Sequence, residues 1–214
     1  MNKRNRLLRT PYSVRISHWL MVICFFLVAA SGLSWFFPSL NWLNHLLGGP
    51  QLARILHPFL GVVIFLFLVY MFIRLVRYNL PEAGDGKWFA NIGRVLRAEH
   101  VEELDTGKYN PGQKVLFWGI MGLITVLLVS GVIIWRPYFA PLFPIPLIRV
   151  GLLLHALAGV LLMLLVIGHI YLAFWVKGSV NSMSTGYVSR TWARVHHPRW
   201  YRQVTGDSSK KDLS

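Results

Sequence analysis

Residues 150–176 have the sequence VGLLLHALAGVLLMLLVIGHIYLAFWV, an apolar run without Asp, Glu, Lys or Arg. As an α-helix rising about 1.5 Å per residue, this run exceeds the roughly 20 residues that cross the hydrocarbon of a bilayer. Its two histidines, His155 and His169, are 14 residues apart. That spacing is close to four helical turns, so both rings project from nearly the same face, about 21 Å apart along the axis.

Three further apolar stretches are long enough to span a bilayer, at residues 16–37, 52–76 and 115–135. Hydrophobic residues make up 55% of the 214-residue chain and charged residues only 14%, whereas a typical soluble domain has about 25% charged residues. The first stretch continues past a faint cleavage-like site, so we expect it to be retained. The sequence therefore predicts an all-α membrane protein in which residues 1–214 form one four-transmembrane-helix bundle.

The basic residues are distributed unequally between the segments that flank the four spans. Of the 22 Lys and Arg residues, five lie in residues 1–15, seven in residues 74–114 and seven in residues 177–214, whereas only three lie in the other two connections. The positive-inside rule places the three basic segments, and with them both termini, in the cytoplasm. The net charge is +14, and the basic residues behind it are concentrated in the three cytoplasmic segments. This distribution argues against nucleic-acid binding, which needs a basic face on a soluble domain.

Four histidines lie near the ends of the spans, at matching depths on different helices. His57 and His155 open spans two and four at the outer face, and His18 and His169 lie near the cytoplasmic face of spans one and four. Ionisable residues inside a membrane are costly and usually functional. For each histidine alone, a hydrogen bond to a neighbouring helix is an equally good explanation, but two depth-matched pairs favour two b-type haems. The other histidines are expected to be solvated: His45, His100, His196 and His197.

Haem fits these pairs better than zinc does. Zinc prefers four ligands, or three and a water, in one tetrahedron, whereas each depth offers two histidines and the spans contain no Asp or Glu. The single cysteine, Cys24, excludes an intrachain disulfide and thiolate clusters. Two histidine ligands leave iron no open position, which favours electron transfer over oxygen chemistry. Gly61 and Gly159, each four residues after a histidine, leave room for a porphyrin edge or for close helix packing.

A polar motif, Tyr109-Asn110-Pro111-Gly112-Gln113-Lys114, precedes span three at the predicted cytoplasmic surface. The amides of Asn110 and Gln113 can donate a hydrogen bond to a carbonyl or accept one from a hydroxyl, as a quinone head group requires. Asn-Pro-Gly is also a common turn. The residues alone leave both a quinone pocket and a simple turn open.

Several stretches resemble the cytochrome b (gamma) subunit of respiratory, quinone-linked formate dehydrogenases. They are RILHPF at 54–59, GKYNPGQK at 107–114, SGVIIWRPYFA at 130–140, AFWVKGS at 173–179 and HHPRWYR at 196–202. The resemblance runs from about Arg9 to Arg202, although residues 81–101 and those after Arg202 match nothing. It implies axial ligation of an outer haem b by His57 and His155, and of an inner haem b by His18 and His169. It also implies that menaquinone binds at Asn110, Gly112, Gln113 and His169.

The same resemblance implies partners and a location in the bacterial inner membrane. A molybdenum- or tungsten-pterin catalytic subunit would oxidise formate outside, and an iron–sulfur subunit would pass electrons to the outer haem, within a larger oligomeric complex. Two alternatives remain from the residues: the cytochrome b subunit of another quinone-linked periplasmic oxidoreductase, such as hydrogenase, or a haem-free membrane anchor. A transporter fits worst, because the spans lack polar groups at the midplane.

Overall fold

Four long α-helices dominate the computed structural model, which describes residues 5–97, 105–176 and 178–206. The elements are β1 (Arg6–Leu8), α1 (Tyr12–Phe36), α2 (Pro50–Leu75), α3 (Asp85–Ala90), α4 (Ile92–Leu96), α5 (Pro111–Ile134), α6 (Ile145–Trp175), α7 (Ser179–Ser184), β2 (Tyr187–Ser189), α8 (Arg190–His196) and α9 (Pro198–Thr205), with short 3-10 helices at Pro38–Leu47, Val76–Tyr78 and Ala140–Leu142. Helices α1, α2, α5 and α6 are each long and apolar enough to cross a membrane. The predicted fold of four transmembrane helices is thereby confirmed.

Each long helix begins two to five residues before the apolar stretch that predicted it. Proline is favoured in the first turn of a helix, because its missing N–H is not needed there and its φ is already helical. Hydropathy alone does not detect such polar first turns. The prolines that stand directly before or within these turns are Pro11, Pro50, Pro111 and Pro146.

The chain forms two compact units. Residues 16–74 and 118–172 form the first, here called the helical unit, which contains most of α1, α2, α5 and α6. The described residues within 1–15, 75–117 and 173–214 form the second, here called the terminal unit. That both units belong to one membrane domain stays a prediction.

The core of the helical unit takes side chains from all four long helices. Ile64 and Leu68 of α2 pack with Ile124 of α5 and Leu162 of α6, and Phe25 of α1 lies against them. Large apolar side chains also cover the outside of this unit, an arrangement that marks a membrane-facing surface rather than a water-facing one. Examples that are more than half exposed are Phe26, Leu66, Ile73, Leu164 and Ile167.

Buried polar side chains hold the connection between α1 and α2. The hydroxyl of Ser34 donates to Oδ1 of Asn44 at 2.8 Å, and Asn44 is only 1% exposed. Gly48 and Gly49 follow with φ of 83° and 108°, a backbone conformation that side-chain-bearing residues rarely adopt. These contacts close the end of the helical unit at which α2 begins.

Segments far apart in the sequence meet in the terminal unit. Strand β1 pairs antiparallel with β2. The guanidinium of Arg9, which is 4% exposed, lies 4.8 Å from the centre of the Trp192 ring and 5.5 Å from that of Trp200. Its Nη2 donates to the carbonyl of Lys108 at 2.7 Å. Burial lowers the pKa of Arg9 to about 10, so the side chain keeps its charge at neutral pH.

The expectation that His197 is solvated is wrong. This side chain is 2% exposed, and its Nδ1 donates to the carbonyl of Gly107 at 2.8 Å. Burial, followed by the nearby Arg9 cation, holds the pKa of His197 well below its ordinary value, so the ring is neutral at neutral pH. His45 and His196 are exposed as expected. His100 lies outside the described residues, as do five of the basic residues counted in the sequence analysis: Lys3, Arg4, Lys177, Lys210 and Lys211.

Candidate functional site

His57 of α2 and His155 of α6 face each other in the helical unit, at the end that carries the connections 37–49 and 135–144. Their ring centres are 6.2 Å apart and their planes are inclined by 54°. The Trp35 ring of α1 packs against His57, with centres 4.8 Å apart. The structure therefore brings together the two histidines that the sequence analysis assigned to the outer face.

His18 of α1 and His169 of α6 form a second pair near the opposite end of the helical unit. Their ring centres are 6.5 Å apart and their planes are inclined by 68°. Helix α6 contributes one ring to each pair, with a spacing of about 21 Å along its axis. The structure brings both predicted pairs together, and haem ligation by them stays a prediction.

Both spacings fit two imidazoles on opposite sides of one metal. A metal–imidazole bond is about 2 Å long and a ring centre lies about 1 Å beyond its nitrogen, so the ring centres should be about 6 Å apart. Among the described residues, no group of three or more His, Cys, Asp or Glu side chains could hold a metal ion. Pairs alone suit the axial ligation of haem and not a zinc tetrahedron.

Two glycines leave open space beside the outer pair. A Cβ atom added at Gly61, one turn after His57, would meet nothing within 4 Å. One added at Gly159, one turn after His155, would meet only a methyl group of Leu127 at 4.0 Å. The two glycines therefore border open space on the histidine faces of α2 and α6, as the porphyrin interpretation requires.

Two buried serines, which the sequence analysis did not single out, contact the rings of the outer pair. Oγ of Ser31 in α1 is 2.7 Å from Nδ1 of His57. Oγ of Ser130 in α5 is 3.0 Å from Nδ1 of His155. Each serine is followed by a glycine and lies 26 or 25 residues before its histidine. This repeated Ser-Gly dipeptide is the signal that could have identified them.

The serine protons decide which nitrogen of each histidine is free. Ser31 donates to the carbonyl of Val28 at 2.8 Å, and Ser130 donates to that of Val126 at 2.6 Å. When the single hydroxyl proton is donated to that carbonyl, each serine oxygen accepts a hydrogen bond from the ring nitrogen that it faces. In this arrangement Nδ1 of each histidine carries the proton, and Nε2 keeps a lone pair that would be available to a metal.

Gly131 lies against His155, and its replacement by alanine is expected to disturb the outer pair. The added Cβ would be 3.3 Å from Cε1 and 3.6 Å from Nδ1 of His155, and overpacking of this kind costs about 1–3 kcal/mol. We expect partial loss of one haem, measured as the haem-to-protein ratio of the purified protein. Gly122→Ala on the same helix is the control, because its Cβ would meet nothing within 4 Å. Equal haem content in both variants would contradict the role of Gly131.

Asn110 and Gln113 form a reciprocal cap at the start of α5, in the terminal unit. The backbone N–H of Gln113 donates to Oδ1 of Asn110 at 2.9 Å, and the backbone N–H of Asn110 donates to Oε1 of Gln113 at 3.0 Å. This is a capping box, which satisfies two N–H groups at a helix start. The cap uses both side-chain oxygens, so the two amide NH2 groups remain as donors for a ligand carbonyl.

Gly112 and Lys114 attach the segment 81–97 to the start of α5. A Cβ at Gly112 would lie 2.9 Å from the Trp88 ring of α3, so this close contact requires glycine. Nζ of Lys114, a residue that is 5% exposed, lies 3.0 Å from Oδ2 of Asp85 and 3.2 Å from Oε2 of Glu82. The carboxylates compensate the burial of the ammonium group, which explains the acidic residues of a segment that matched no known motif.

Ionisable groups next to the cap have altered pKa values. Burial, followed by the cations of Arg9 and Arg77, lowers the pKa of Lys108 to about 8. Burial raises the pKa of Tyr109, so its phenol keeps its proton at neutral pH. The terminal unit thus presents Lys108 in equilibrium between its charged and neutral forms in the mildly alkaline range, directly before the Asn110–Gln113 cap.

The chain is similar to known proteins over nearly its whole length. The family model described as prokaryotic cytochrome b561 matches residues 9–186. The cytochrome b556(Fdn) subunit of the nitrate-inducible formate dehydrogenase of Escherichia coli (strain K12) is 52% identical over 212 residues, which are 99% of this chain and 98% of that protein. The formate dehydrogenase cytochrome b556(fdo) subunit of the same strain is 50% identical over 211 residues, 99% of each chain. The formate dehydrogenase cytochrome b556 subunit of Haemophilus influenzae is 42% identical over 208 residues, 97% of this chain and 87% of that one.

Proposed function

Because the chain belongs to the prokaryotic cytochrome b561 family, we propose that it is the cytochrome b subunit of a formate dehydrogenase and carries electrons across the membrane to menaquinone. Membership of this family implies a b-type haem. The resemblance to formate dehydrogenase cytochrome b subunits is confirmed by relatives that are 50% and 52% identical over almost the full length. Those relatives support formate as the source of the electrons.

The observation that carries this proposal is the pairing of four histidines within one helical unit. His57 and His155 would hold an outer haem, and His18 and His169 would hold an inner haem, with ring centres 6.2 Å and 6.5 Å apart. When bound, each haem supplies a one-electron Fe(III)/Fe(II) couple. The histidines would fix both couples to α6, and the surrounding apolar helices would exclude water from the space between them.

Menaquinone reduction is proposed to take place at the start of α5. Formate oxidation to carbon dioxide releases two electrons and one proton, and quinone reduction to quinol takes up two electrons and two protons. The amide NH2 groups of Asn110 and Gln113 would donate to a quinone carbonyl, while Gly112 allows the close contact with Trp88 that lies beside them. A role of His169 at the quinone stays a prediction from the resemblance.

The partners and the location follow from the same proposal. An iron–sulfur subunit would deliver electrons to the outer haem, and a molybdenum- or tungsten-pterin subunit would oxidise formate on the same side of the membrane. The four apolar helices and the prokaryotic family indicate a multi-pass bacterial membrane protein. We propose the inner membrane, with both termini and the Asn110–Gln113 cap in the cytoplasm, because most Lys and Arg residues lie in those segments.

A reporter fused after Ser214 is expected to be active only when it is of the kind that works in the cytoplasm. The C-terminal segment is basic, and the positive-inside rule keeps such segments on the cytoplasmic side. A matched pair of fusions, one active in the cytoplasm and one active outside, measures the orientation. A signal from the externally active reporter would contradict the proposed topology and would put the quinone motif on the wrong side.

The proposed function is tested by reduction of the haem with formate. The chain is purified in detergent together with its partner subunits, and formate is added without oxygen while visible absorbance is recorded. Absorbance of reduced b haem is expected to appear with formate and to disappear when a menaquinone analogue is added. The chain without its partners is the control and should not respond to formate. Haem that formate does not reduce in the intact complex would refute the proposal.

A further inference from the structure

We propose that Ser31 and Ser130 are positioning residues that lower the reduction potential of the outer haem relative to that of the inner haem. The inference rests on the proposed function, because it requires His57 and His155 to be axial ligands. It starts from a difference between the two pairs. The outer rings are bonded to serine hydroxyls, whereas the inner rings have no hydroxyl partner within the described residues.

Each outer ring lies at the head of a short hydrogen-bond chain. With the serine hydroxyl donating to a backbone carbonyl of its own helix, the serine oxygen accepts from the ring Nδ1–H. Serines in membrane helices commonly bond only to the carbonyl one turn back, so the added contact with a ring nitrogen is the unusual feature. Ser31 is 0% exposed and Ser130 2%, and a hydrogen bond that is shielded from water is electrostatically stronger. The chains therefore fix the ring orientation and would leave Nε2 as the nitrogen that holds the haem iron.

The inner pair is built differently. Nδ1 of His18 is buried and has no hydrogen-bond partner in the part of the chain that the structure describes. The ring of His169 contacts that of His18, and no hydroxyl of the described residues bonds to it. A donated Nδ1–H bond raises the basicity of a metal-bound imidazole. A more basic ligand stabilises Fe(III) over Fe(II), so the two serine bonds lower the potential of the outer haem alone.

The arrangement occurs twice, once in each pair of consecutive long helices. Ser31 and Gly32 of α1 meet His57 of α2, and Ser130 and Gly131 of α5 meet His155 of α6. In both cases the serine contacts Nδ1 of the ring and the next residue is a glycine. A Cβ added at Gly131 would lie tightly, 3.3 Å from Cε1 of His155, whereas one added at Gly32 would make an ordinary contact, 3.9 Å from Cε1 of His57. Two independent occurrences on the two ligands of one haem indicate a common role.

A lower potential at the outer haem would suit the direction of electron transfer. Electrons that move inward across an energised membrane move against a potential that is negative inside. If the outer haem has the lower reduction potential and the inner haem the higher one, this difference offsets part of the membrane potential. The serines would thereby favour forward transfer from the partner subunits to the quinone side.

The test is a redox titration of the intact complex carrying Ser31→Ala or Ser130→Ala. The carbonyls of Val28 and Leu127 also interact with the two rings and stay in place, so each variant should keep both haems. We expect the outer midpoint potential to rise in each variant, by up to about 59 mV, the one-electron equivalent of a tenfold change in the redox equilibrium. The inner potential should not change. A His155→Ala variant, which keeps only the inner haem, assigns the two signals.

Thr125→Val is the matched control. Its hydroxyl lies on α5 like that of Ser130 but bonds to the carbonyl of Met121 at 2.8 Å and to no histidine, so both potentials should equal those of the wild type. If an alanine variant does not assemble, Ser130→Cys replaces it, because the thiol is a weaker acceptor and should give a smaller shift of the same sign. Unchanged outer potentials in serine variants that carry both haems would overturn the inference. A wild-type protein without two haems would instead refute the proposed function.

Discussion

Replacing His155 with alanine is expected to remove one of two haems and to leave the other in place. The His155 ring faces His57 with centres 6.2 Å apart, and a haem cannot keep two axial histidines once one is truncated. The second pair takes its α6 ligand from His169, about 21 Å away along the helix axis. The haem-to-protein ratio should fall from about two to about one, since one of two bis-histidine sites is lost. Formate should then no longer reduce the remaining inner haem.

His45→Ala is the control for this variant. His45 lies in the connection between α1 and α2, is exposed, and among the described residues its ring hydrogen-bonds only to the backbone carbonyl of Trp42, at 3.0 Å. Its removal should leave both haems and formate-driven reduction intact. Loss of both haems from His155→Ala in a protein that still assembles, or loss of neither, would contradict the proposed pairing.

Replacing Gln113 is expected to impair quinone reduction while both haems remain reducible by formate. Gln113→Glu is the informative variant, because a carboxylate oxygen can still accept the N–H of Asn110 and keep the cap, whereas the amide donor is lost. Loss of one hydrogen bond to a substrate costs about 1.5 kcal/mol, roughly a tenfold loss of turnover. The measurements are steady-state quinol formation with formate and, separately, the rate of haem reduction.

Comparison of Gln113→Glu with Gln113→Ala distinguishes a role of Gln113 in the cap from its role as a hydrogen-bond donor to quinone. The alanine variant loses both, so it should lower quinol formation in the same way and also weaken the capping box at the start of α5. A loss of turnover in the alanine variant alone would assign Gln113 to the cap and not to the quinone. Wild-type turnover in Gln113→Glu would remove the basis for placing menaquinone at this motif.

The spans and the histidine pairs could be predicted because each depends on local sequence. An apolar run of sufficient length defines a span, and a spacing of 14 residues puts His155 and His169 on one face of α6. The depth of each histidine within its span then limits which rings can meet. The helix starts were less accurate, because the proline-led first turns are not apolar.

The serine contacts could not be predicted in the same way. Ser31 and Ser130 look like ordinary small residues of membrane helices, and only the packing of α1 on α2 and of α5 on α6 brings them to Nδ1 of a histidine. The Ser-Gly dipeptides repeat at nearly equal distances before His57 and His155. That repeat becomes informative only when both histidines are already assigned to one haem.

The terminal unit shows why His197 was misjudged. Its partner, the carbonyl of Gly107, is 90 residues away in the sequence, and Arg9 reaches the carbonyl of Lys108 across 99 residues. A basic tail has the composition of a solvated segment, and no local pattern reveals that it packs against the start of the chain. The capping box of Asn110 and Gln113, by contrast, is a local motif. The sequence analysis left both a turn and a quinone pocket open for this motif. The cap uses the side-chain oxygens of Asn110 and Gln113, whereas the proposed quinone site would use their NH2 groups.

The measurement that tests the central claim most directly is the haem-to-protein ratio, determined by pyridine haemochrome on the chain purified with its partners. Two histidine pairs with ring centres 6.2 Å and 6.5 Å apart predict two b haems per chain. One haem would leave one of the pairs without a function. A chain that assembles with its partners and carries no haem would contradict the account altogether and would reduce the protein to a membrane anchor.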